Sequence, residues 1–408
     1  MTRSRAAAVA TTLAASLVAP LLGVATPALD TAAARTPGSH PGVTGRDHRG
    51  PSDRSHTADE VQQALDRLVS EDGFPGAAAA VRDADGKVRT YTAGVSDLET
   101  RAPMTADGRV RIASNTKMFT ATVVLQLVGE GKVDLDEPVE TYLPGIVRGN
   151  GNDGREITVR NLLRQTSGLP DYDTIVSDNG GSLADIAHTY FEPRELVDAA
   201  LAEDSHFAPG SQWEYSNTNY ILLGLLAQRV TGRPIGEQVT QRIIEPLGME
   251  DTYWPEVGEQ DIRGAHPHGY YADGPGEPWQ DLTRMDPSLG WAAGQLVATQ
   301  QDLGRFMEAL LGGELLEPAQ LEEMRDTVPA PEFDPGDDAW EYGLGLARTR
   351  LECGVDAWGH GGDIQGFETR NLVTEDGRWA VVVVNALPTS LEMVEHVSES
   401  VETAICSS

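Results

Sequence analysis

The alternation of apolar and polar positions predicts strands at both ends of the folded chain and helices between them. Apolar runs at 77–82 and 87–93 flank an Asp-Ala-Asp-Gly segment, which is a hairpin signal. Four later runs predict strands, and the last stretch has the period of an amphipathic helix. These elements lie at 342–348, 356–360, 367–374, 379–386 and 391–405.

The long middle of the chain has a mostly helical pattern, which glycine-rich loops interrupt. A separate helix is predicted at 57–71, where Thr57 and Glu60 have the spacing of a capping box. The predicted helices of the middle segment lie at 159–165, 183–191, 194–201, 217–230, 235–244, 301–311 and 318–324.

These elements predict an α+β fold with one central antiparallel sheet built from both chain ends and flanked by helices. A helical lobe would be inserted into this sheet lobe. The sheet lobe would comprise 57–110 and 340–408, and the helical lobe 111–339. A cleft between two such lobes is a usual place for a functional site.

The first 34 residues have the composition of a secretory signal peptide. Arg3 and Arg5 precede the alanine-rich run 6–24, and small residues follow as far as Ala34. A membrane anchor is the alternative, but the run is short and poor in large apolar side chains for a spanning helix. Residues 35–56, rich in Pro, Gly, Ser and His, predict a disordered linker. We therefore expect a secreted domain at 57–408 with no stable membrane anchor.

Composition limits the partners of this domain. The net charge of −32, without any basic stripe, argues against binding to nucleic acid. The nine histidines have no ligand spacing with cysteines or acids, so we expect no metal and no other cofactor. In an exported chain, Cys353 and Cys406 predict a disulfide, with two free thiols as the alternative.

The first chemical signal is Ser114, followed by Lys117 at the start of the apolar run 118–128. If Ser114 starts a buried helix, Lys117 lies one turn further on the same side. A lysine whose charged form is disfavoured by a dry site can take the proton of a serine hydroxyl. The alternative is a helix N-cap serine with an unrelated lysine.

Two further segments carry polar groups suited to catalysis. Tyr215 and Asn217, on either side of Ser216, would place a phenol and a carboxamide on one side of an extended loop. His360 begins a His-Gly-Gly-Asp segment between two predicted strands, where glycines allow a ligand to approach closely. A capped helix and a structural histidine in a turn are the alternatives.

Taken together and in this order, the three segments resemble the family of penicillin-recognising serine enzymes. The resemblance is to its class C β-lactamase branch and to the secreted D-alanyl-D-alanine carboxypeptidases of the streptomycete type. It extends from Val61 to Cys406, and Gln165 stands where a histidine is common in the family. Further segments that fit lie at 162–169, 209–210, 246–249 and 342–346.

The resemblance implies a mechanism through an acyl-enzyme. Ser114 would attack a carbonyl carbon, and Lys117 and Tyr215 would share the proton transfers. His360 would assist the proton relay of the tyrosine.

The resemblance also implies the substrate-binding positions. Asn217 would position the lysine and the substrate amide, and Gly361 and Gly362 would lie along the substrate. The backbone N–H groups of Ser114 and Asp363 would form the oxyanion hole.

The sequence departs from carboxypeptidases of this family where they bind the terminal carboxylate of the substrate. The usual hydroxyl positions are Gly361 and Asp363, and a usual arginine position is Ala347. Because side chains alternate along a strand, neither Arg348 nor Arg350 should point the same way as Ala347. A carboxylate at position 363 would suit an amine or a neutral ester better than another carboxylate.

Our first hypothesis is a D-alanyl-D-alanine carboxypeptidase or related D-peptide hydrolase that acts on cell-wall peptides. An esterase or a D-amino acid amidase or aminopeptidase is the second, and a β-lactamase the third. A catalytically silent cell-wall-binding module is the non-enzymatic alternative, and the intact chemical residues argue against it. We expect a monomer whose partner is a small peptide, ester or β-lactam substrate.

Overall fold

The computed structural model describes residues 51–173, 183–331, 333 and 339–408. The predicted signal peptide and residues 35–50 of the predicted linker lie outside these ranges. The first helix is Pro51–Ser70, so residues 51–56 are helical. The capping box at Thr57 was wrong, because Thr57 lies inside this helix. Proline suits the first turn of a helix, where its missing N–H has no intrahelical partner to lose.

A nine-stranded antiparallel sheet combines strands from the N-terminal and C-terminal parts of the described chain, as predicted. The N-terminal hairpin pairs with the last strand, where Ala79 lies opposite Val382. A short ninth strand, Gly362–Ile364, pairs with Phe367–Thr374. The order of the other strands is Val88–Gly94, Gly76–Arg82, Trp379–Val384, Phe367–Thr374, Asp356–Gly359, Ala347–Arg350, Glu341–Tyr342 and Val328–Pro329.

Helices cover both faces of this sheet. Pro51–Ser70 and the C-terminal helix Leu391–Ser407 pack on one face, and Gln300–Leu311 packs on the other. The last strand, Trp379–Val384, is buried on both faces, which explains its continuous apolar sequence. Gly304 allows the close packing of Gln300–Leu311, because a Cβ there would lie 2.5 Å from the ring of Trp379.

The helical lobe separates the N-terminal hairpin from the rest of the sheet in sequence. Within the described ranges it also contains three small strand pairs, of which Val110–Arg111 with Val297–Ala298 lies beside the site. The α-helices described in this lobe are Thr116–Gly129, Val139–Tyr142, Val159–Leu163, Leu183–Ile186, Pro193–Ala200, Asn217–Thr231, Ile235–Val239, Glu245–Leu247, Trp291–Gly294, Gln300–Leu311 and Pro318–Met324.

Besides the first helix, two predicted elements differ clearly in extent from the observed ones. The helix predicted at 183–191 ends at Ile186. The strand predicted at 342–348 is two strands, Glu341–Tyr342 and Ala347–Arg350, which pair with each other. The reason is Gly345, whose φ of 84° is typical of a turn that reverses the chain.

Cys353 and Cys406 form a disulfide, which confirms the predicted pairing. It joins the C-terminal helix to the turn between Ala347–Arg350 and Asp356–Gly359. In the ranges that the structure describes, no helix combines the length and apolar character needed to cross a bilayer.

Candidate active site

Ser114 lies in a tight turn between a strand and a buried helix. The turn Ala113–Asn115 is a 3-10 helix, and the α-helix begins at Thr116 rather than at Ser114 as expected. Ala113 has a φ of 46°, which is uncommon for an L-residue and characteristic of functional turns. The 3-10 turn continues directly into the helix, so Lys117 still lies one turn beyond Ser114.

Asn115 attaches this turn to the sheet, a role that sequence reasoning missed. Its side-chain Nδ2 donates to the backbone oxygen of Ile112 at 2.8 Å and to Oγ1 of Thr369 at 2.5 Å. Its Oδ1 accepts a hydrogen bond from Asn371. Because Thr369 and Asn371 lie on the strand Phe367–Thr374, the sheet determines the position of the Ser114 hydroxyl.

Lys117 is completely buried and reaches Ser114. Its Nζ lies 2.9 Å from Oγ of Ser114, 2.7 Å from Oδ1 of Asn217 and 2.9 Å from the backbone oxygen of Ala293. Burial lowers the pKa of Lys117 to about 7, and nearby carboxylates oppose part of this shift. A neutral amine can donate two hydrogen bonds to the amide oxygens and direct its lone pair at the serine O–H. The geometry therefore suits Lys117 as the base.

Asn217 begins the helix Asn217–Thr231 and connects Lys117 to an acidic group. Its Nδ2 donates to Oδ2 of Asp171 at 3.0 Å, so its Oδ1 is directed at Lys117. Burial raises the pKa of Asp171. Burial, together with the charge of Asp171, raises the pKa of Asp173 to about 7. Neither aspartate was identified from the sequence, although both lie just after the segment 162–169.

Tyr215 lies against Ser114 and Lys117. Burial raises the pKa of its phenol well above the usual 10, and the nearby Ser114 hydroxyl opposes part of this shift. The Nζ of Lys117 lies 4.9 Å from the centre of the ring. The phenol therefore stays protonated at neutral pH, which suits a proton donor better than the initial base.

Gln165 holds the loop that carries Tyr215. Its backbone oxygen accepts from the N–H of Glu214 at 3.0 Å, and its Oε1 accepts from the N–H of Ser216 at 3.2 Å. Gln165 therefore fixes the backbone on both sides of the tyrosine. This gives a physical function to the position where the family commonly has a histidine.

His360 lies beside Tyr215, with 6.1 Å between the ring centres. Both of its nitrogens have other partners: Nε2 is 3.1 Å from the hydroxyl of Tyr342, and Nδ1 donates to the backbone oxygen of Gly361 at 2.6 Å. Burial and the neighbouring Lys117 lower the pKa of His360 to about 3. A neutral imidazole with these two bonds supports the loop backbone, and its assistance to Tyr215 stays a prediction.

The strand Gly362–Ile364 passes close to the serine turn. A Cβ on Gly362 would lie 2.3 Å from the backbone oxygen of Ile112, so only glycine allows this approach. The contact brings the strand that carries the Asp363 N–H against the turn that carries Ser114. The oxyanion hole implied for these two N–H groups stays a prediction.

The side chain of Asp363 pairs with an arginine that sequence reasoning missed. Nη1 of Arg370 lies 3.0 Å from Oδ1 of Asp363, and Nη2 lies 2.7 Å from the buried carboxylate of Glu368. A Cβ on Gly361 would lie 3.1 Å from the same Nη1. The carboxylates of Asp363 and Glu368 therefore both contact the guanidinium of Arg370, and these three groups together carry a net negative charge.

The possible substitutes for the carboxylate-binding arginine point elsewhere. Ala347 is buried, whereas Arg348 pairs with Asp356 at 3.1 Å and Arg350 pairs with the same carboxylate at 3.0 Å. The expectation that neither arginine shares the direction of Ala347 agrees with this pairing. Among the described residues, no group of three or more His, Cys, Asp or Glu side chains is arranged to hold a metal ion.

Comparisons with known proteins agree with this geometry. The Beta-lactamase family model matches residues 61–396. The structure of a D-stereospecific amidohydrolase from Streptomyces sp. is 40% identical in sequence, with a TM-score of 0.75. The match covers 83% of this chain and 97% of that chain. The D-amino acid amidase from Ochrobactrum anthropi SV3, complexed with L-phenylalanine amide, is 30% identical, with a TM-score of 0.75 and coverages of 86% and 97%.

A D-aminopeptidase from Cereibacter sphaeroides is 28% identical over 340 residues, which are 80% of this chain and 59% of that protein. The chain thus spans less than two thirds of the curated relatives that it matches, and for some only 39%. The matched region includes Ser114, Lys117, Tyr215 and His360. The chain belongs to the Beta-lactamase family and is a serine hydrolase of the β-lactamase-like fold.

Proposed function

We propose that the chain hydrolyses the amide bond of D-amino acid amides and short D-peptides that carry a free α-ammonium group. The observation that carries this proposal is the charge around the nucleophile. Carboxylates of Asp171, Asp173 and Asp363 all act on Lys117 through space. A neutral lysine leaves this group of acids with a net negative charge, which favours a cationic substrate.

The surroundings of Asp363 support the same preference. Arg370 is balanced by two carboxylates, and Ala347 provides no cation. A substrate carboxylate would therefore meet repulsion, of about 1–4 kcal/mol for a contact at intermediate dielectric. Similarity to the D-stereospecific amidohydrolase and the D-amino acid amidase supports the choice of substrate class.

In the proposed reaction, Lys117 takes the proton of Ser114 while Oγ attacks the amide carbon. The tetrahedral intermediate places its oxyanion on the N–H groups of Ser114 and Asp363. Tyr215 gives its proton to the leaving nitrogen and recovers one from the protonated lysine. Water then attacks the ester and gives a proton to Lys117. The bond to Ser114 Oγ breaks, the serine oxygen takes this proton from the lysine, and the free D-amino acid leaves.

The test compares four substrates with the purified protein: D-phenylalanine amide, its L-enantiomer, N-acetyl-D-phenylalanine amide and a peptide that ends in D-Ala-D-Ala. We expect kcat/KM to be highest for the free D-amide, and at least about tenfold lower after N-acetylation, because an ion pair shielded from water is lost. The variant Ser114→Ala should be inactive on all four. Equal rates with the N-acetylated amide would refute the role of the ammonium.

A D-alanyl-D-alanine carboxypeptidase is the second candidate. It is supported by Arg370, a guanidinium beside the segment that relatives use for the carboxylate. A higher kcat/KM on the D-Ala-D-Ala peptide than on the free D-amide would favour this candidate over the first.

We also propose that the protein is exported. The basic and apolar N-terminal sequence and the disulfide between Cys353 and Cys406 support this location. The test is the mass of the protein recovered from culture medium. A mass that includes residues 1–28, or recovery from the cytoplasm alone, would refute export.

A further inference from the structure

A cavity lies in the helical lobe, apart from the catalytic residues. It has a volume of about 470 Å³, within the usual range for small-molecule sites. Its lining includes none of Ser114, Lys117, Tyr215 or Asn217. It lies between the start of Ile235–Val239, the loop 254–258 and the segment 286–295, and we name it the tryptophan pocket.

Two tryptophans form rigid walls of the tryptophan pocket. Trp254 packs directly on Gly236, where a Cβ would lie 2.6 Å from the indole ring. Trp291 packs on Gly224 in the same way, with a ring atom 2.7 Å from the position of a Cβ. Because each glycine provides the space for one ring, both indoles are fixed before any ligand arrives. Such preorganisation lowers the entropic cost of binding.

The charged groups that line the pocket all have one sign. They are Glu237, Glu245, Glu256 and Asp286, and the lining includes no lysine, arginine or histidine. Cations lie near three of these acids: Arg111 interacts with Asp286 through space, Arg233 is 3.7 Å from Glu237, and Arg263 is 4.0 Å from Glu256. The last two contacts are long and exposed, so Arg233 and Arg263 offset little of the negative charge.

Exposed apolar surface marks the mouth of the pocket. Among the described residues, four large hydrophobic side chains are exposed, and two of them, Tyr190 at 39% and Val257 at 81%, line this cavity. The aromatic walls continue inward with Phe191. Apolar surface around a pre-formed cavity is a feature of binding sites.

We propose that the tryptophan pocket binds a hydrophobic primary ammonium, namely an aromatic or branched aliphatic amine about the size of an amino acid amide. The indole faces and the carboxylates attract the positive charge, and the apolar walls remove the hydrocarbon part from water. Charge complementarity excludes carboxylic acids of the same shape. This site is separate from the proposed catalytic function and does not depend on it.

The test is calorimetric titration of the full-length Ser114→Ala variant with 2-phenylethylamine, 2-phenylethanol and 3-phenylpropionate. We expect the amine to bind at least about tenfold more tightly than the alcohol, in keeping with one cation–π contact plus carboxylates. The carboxylate should not bind. Equal affinity for the amine and the alcohol would overturn the proposal.

A matched pair of variants places the binding in this pocket. Added to Ser114→Ala, Trp254→Ala should weaken amine binding at least about tenfold, whereas Trp279→Ala, outside the lining, should leave it unchanged. Because Trp254→Ala could disturb folding, the surface variant Glu237→Gln/Glu256→Gln provides a second test. It should reduce the preference for the amine over the alcohol.

Unchanged amine affinity in the Trp254→Ala or the Glu237→Gln/Glu256→Gln variant would assign the binding to another site and refute the proposal. A concentration-dependent dimer that Val257→Asp dissociates would instead show that a second copy of the chain covers the pocket.

Discussion

At the residue scale, the low pKa of Lys117 has a direct kinetic consequence. Burial lowers it to about 7, and the same cluster contains Asp173 with a pKa raised to about 7. Below this pH the lysine is protonated and cannot accept the serine proton, so kcat/KM should fall by about tenfold per pH unit. Because the groups interact, the observed midpoint near 7 belongs to the cluster rather than to one residue.

The pH profile should also depend on the substrate. With N-acetyl-D-phenylalanine amide, kcat/KM should rise through pH 7 and then stay constant. With the free amide it should fall again near pH 8, where an α-ammonium group loses its proton. A profile that is flat from pH 5 to 8 for both substrates would contradict Lys117 as the base.

Asp173 is the residue whose removal should change substrate preference. The variant Asp173→Asn removes one carboxylate near Lys117 but keeps the size of the side chain. We expect kcat/KM for the free D-amide to fall at least about tenfold, and for the N-acetylated amide to fall less, because only the former loses an ion pair. Asp198→Asn, an exposed helix residue paired with Arg194, is the control. Equal losses on both substrates would refute ammonium recognition by Asp173.

Sequence reasoning predicted the candidate site residues that lie in short motifs, and the structure places them together. Ser114 and Lys117 are three positions apart, and helical geometry places such residues together. Asp171 and the backbone oxygen of Ala293 could not be found in this way, because loops of the helical lobe bring them to Lys117. Backbone acceptors leave no signal in side-chain chemistry, so Ala293 in particular required the structure.

At the element scale, the close approach of Gly362–Ile364 to the serine turn should tolerate no side chain at Gly362. Its Cβ would lie 2.3 Å from the backbone oxygen of Ile112, and backbone cannot move aside as a long side chain can. We expect Gly362→Ala to slow acylation of Ser114 by a fluorophosphonate by at least about a hundredfold, as expected when one oxyanion donor is displaced.

Gly361→Ala provides the matched control for this prediction. The nearest atom to its Cβ is Nη1 of Arg370, at 3.1 Å, which is a side-chain atom and not backbone. A shift of this guanidinium by a few tenths of an ångström therefore lets the strand keep its position. Acylation should slow far less in this variant. Similar rates in the two variants would show that the strand position does not control Ser114.

The predicted strands were accurate where the apolar sequence reflected burial on both faces of the sheet, and inaccurate where a turn interrupted an apolar run. The last strand was predicted well because Val381 and Val383 face the helical lobe while Val382 and Val384 face the other helices, which requires an apolar residue at every position. The strand predicted at 342–348 failed because Gly345 reverses the chain within an apolar run. Apolar composition alone cannot distinguish one strand from two short ones joined by a turn.

At the scale of the whole molecule, the site depends on the sheet that joins the two chain ends. Asn115 is hydrogen-bonded to the strand Phe367–Thr374. This strand pairs with Trp379–Val384, which in turn pairs with Gly76–Arg82. The nucleophile turn is therefore held by segments more than 250 residues away in sequence. The α+β class followed from the order of predicted elements, but the strand order and this contact did not, since local patterns contain no long-range pairing.

The disulfide between Cys353 and Cys406 should stabilise this architecture. It closes a loop with a sequence separation of 53, which the chain-entropy model converts to about 4 kcal/mol. We expect a reducing agent, or Cys353→Ser/Cys406→Ser, to lower the melting temperature by several degrees and to speed hydrogen exchange in Leu391–Ser407. The activity of the folded protein should change little, because the bond lies at the far end of the strands from Ser114. An unchanged melting temperature after two thiols are titrated would refute this stabilising role.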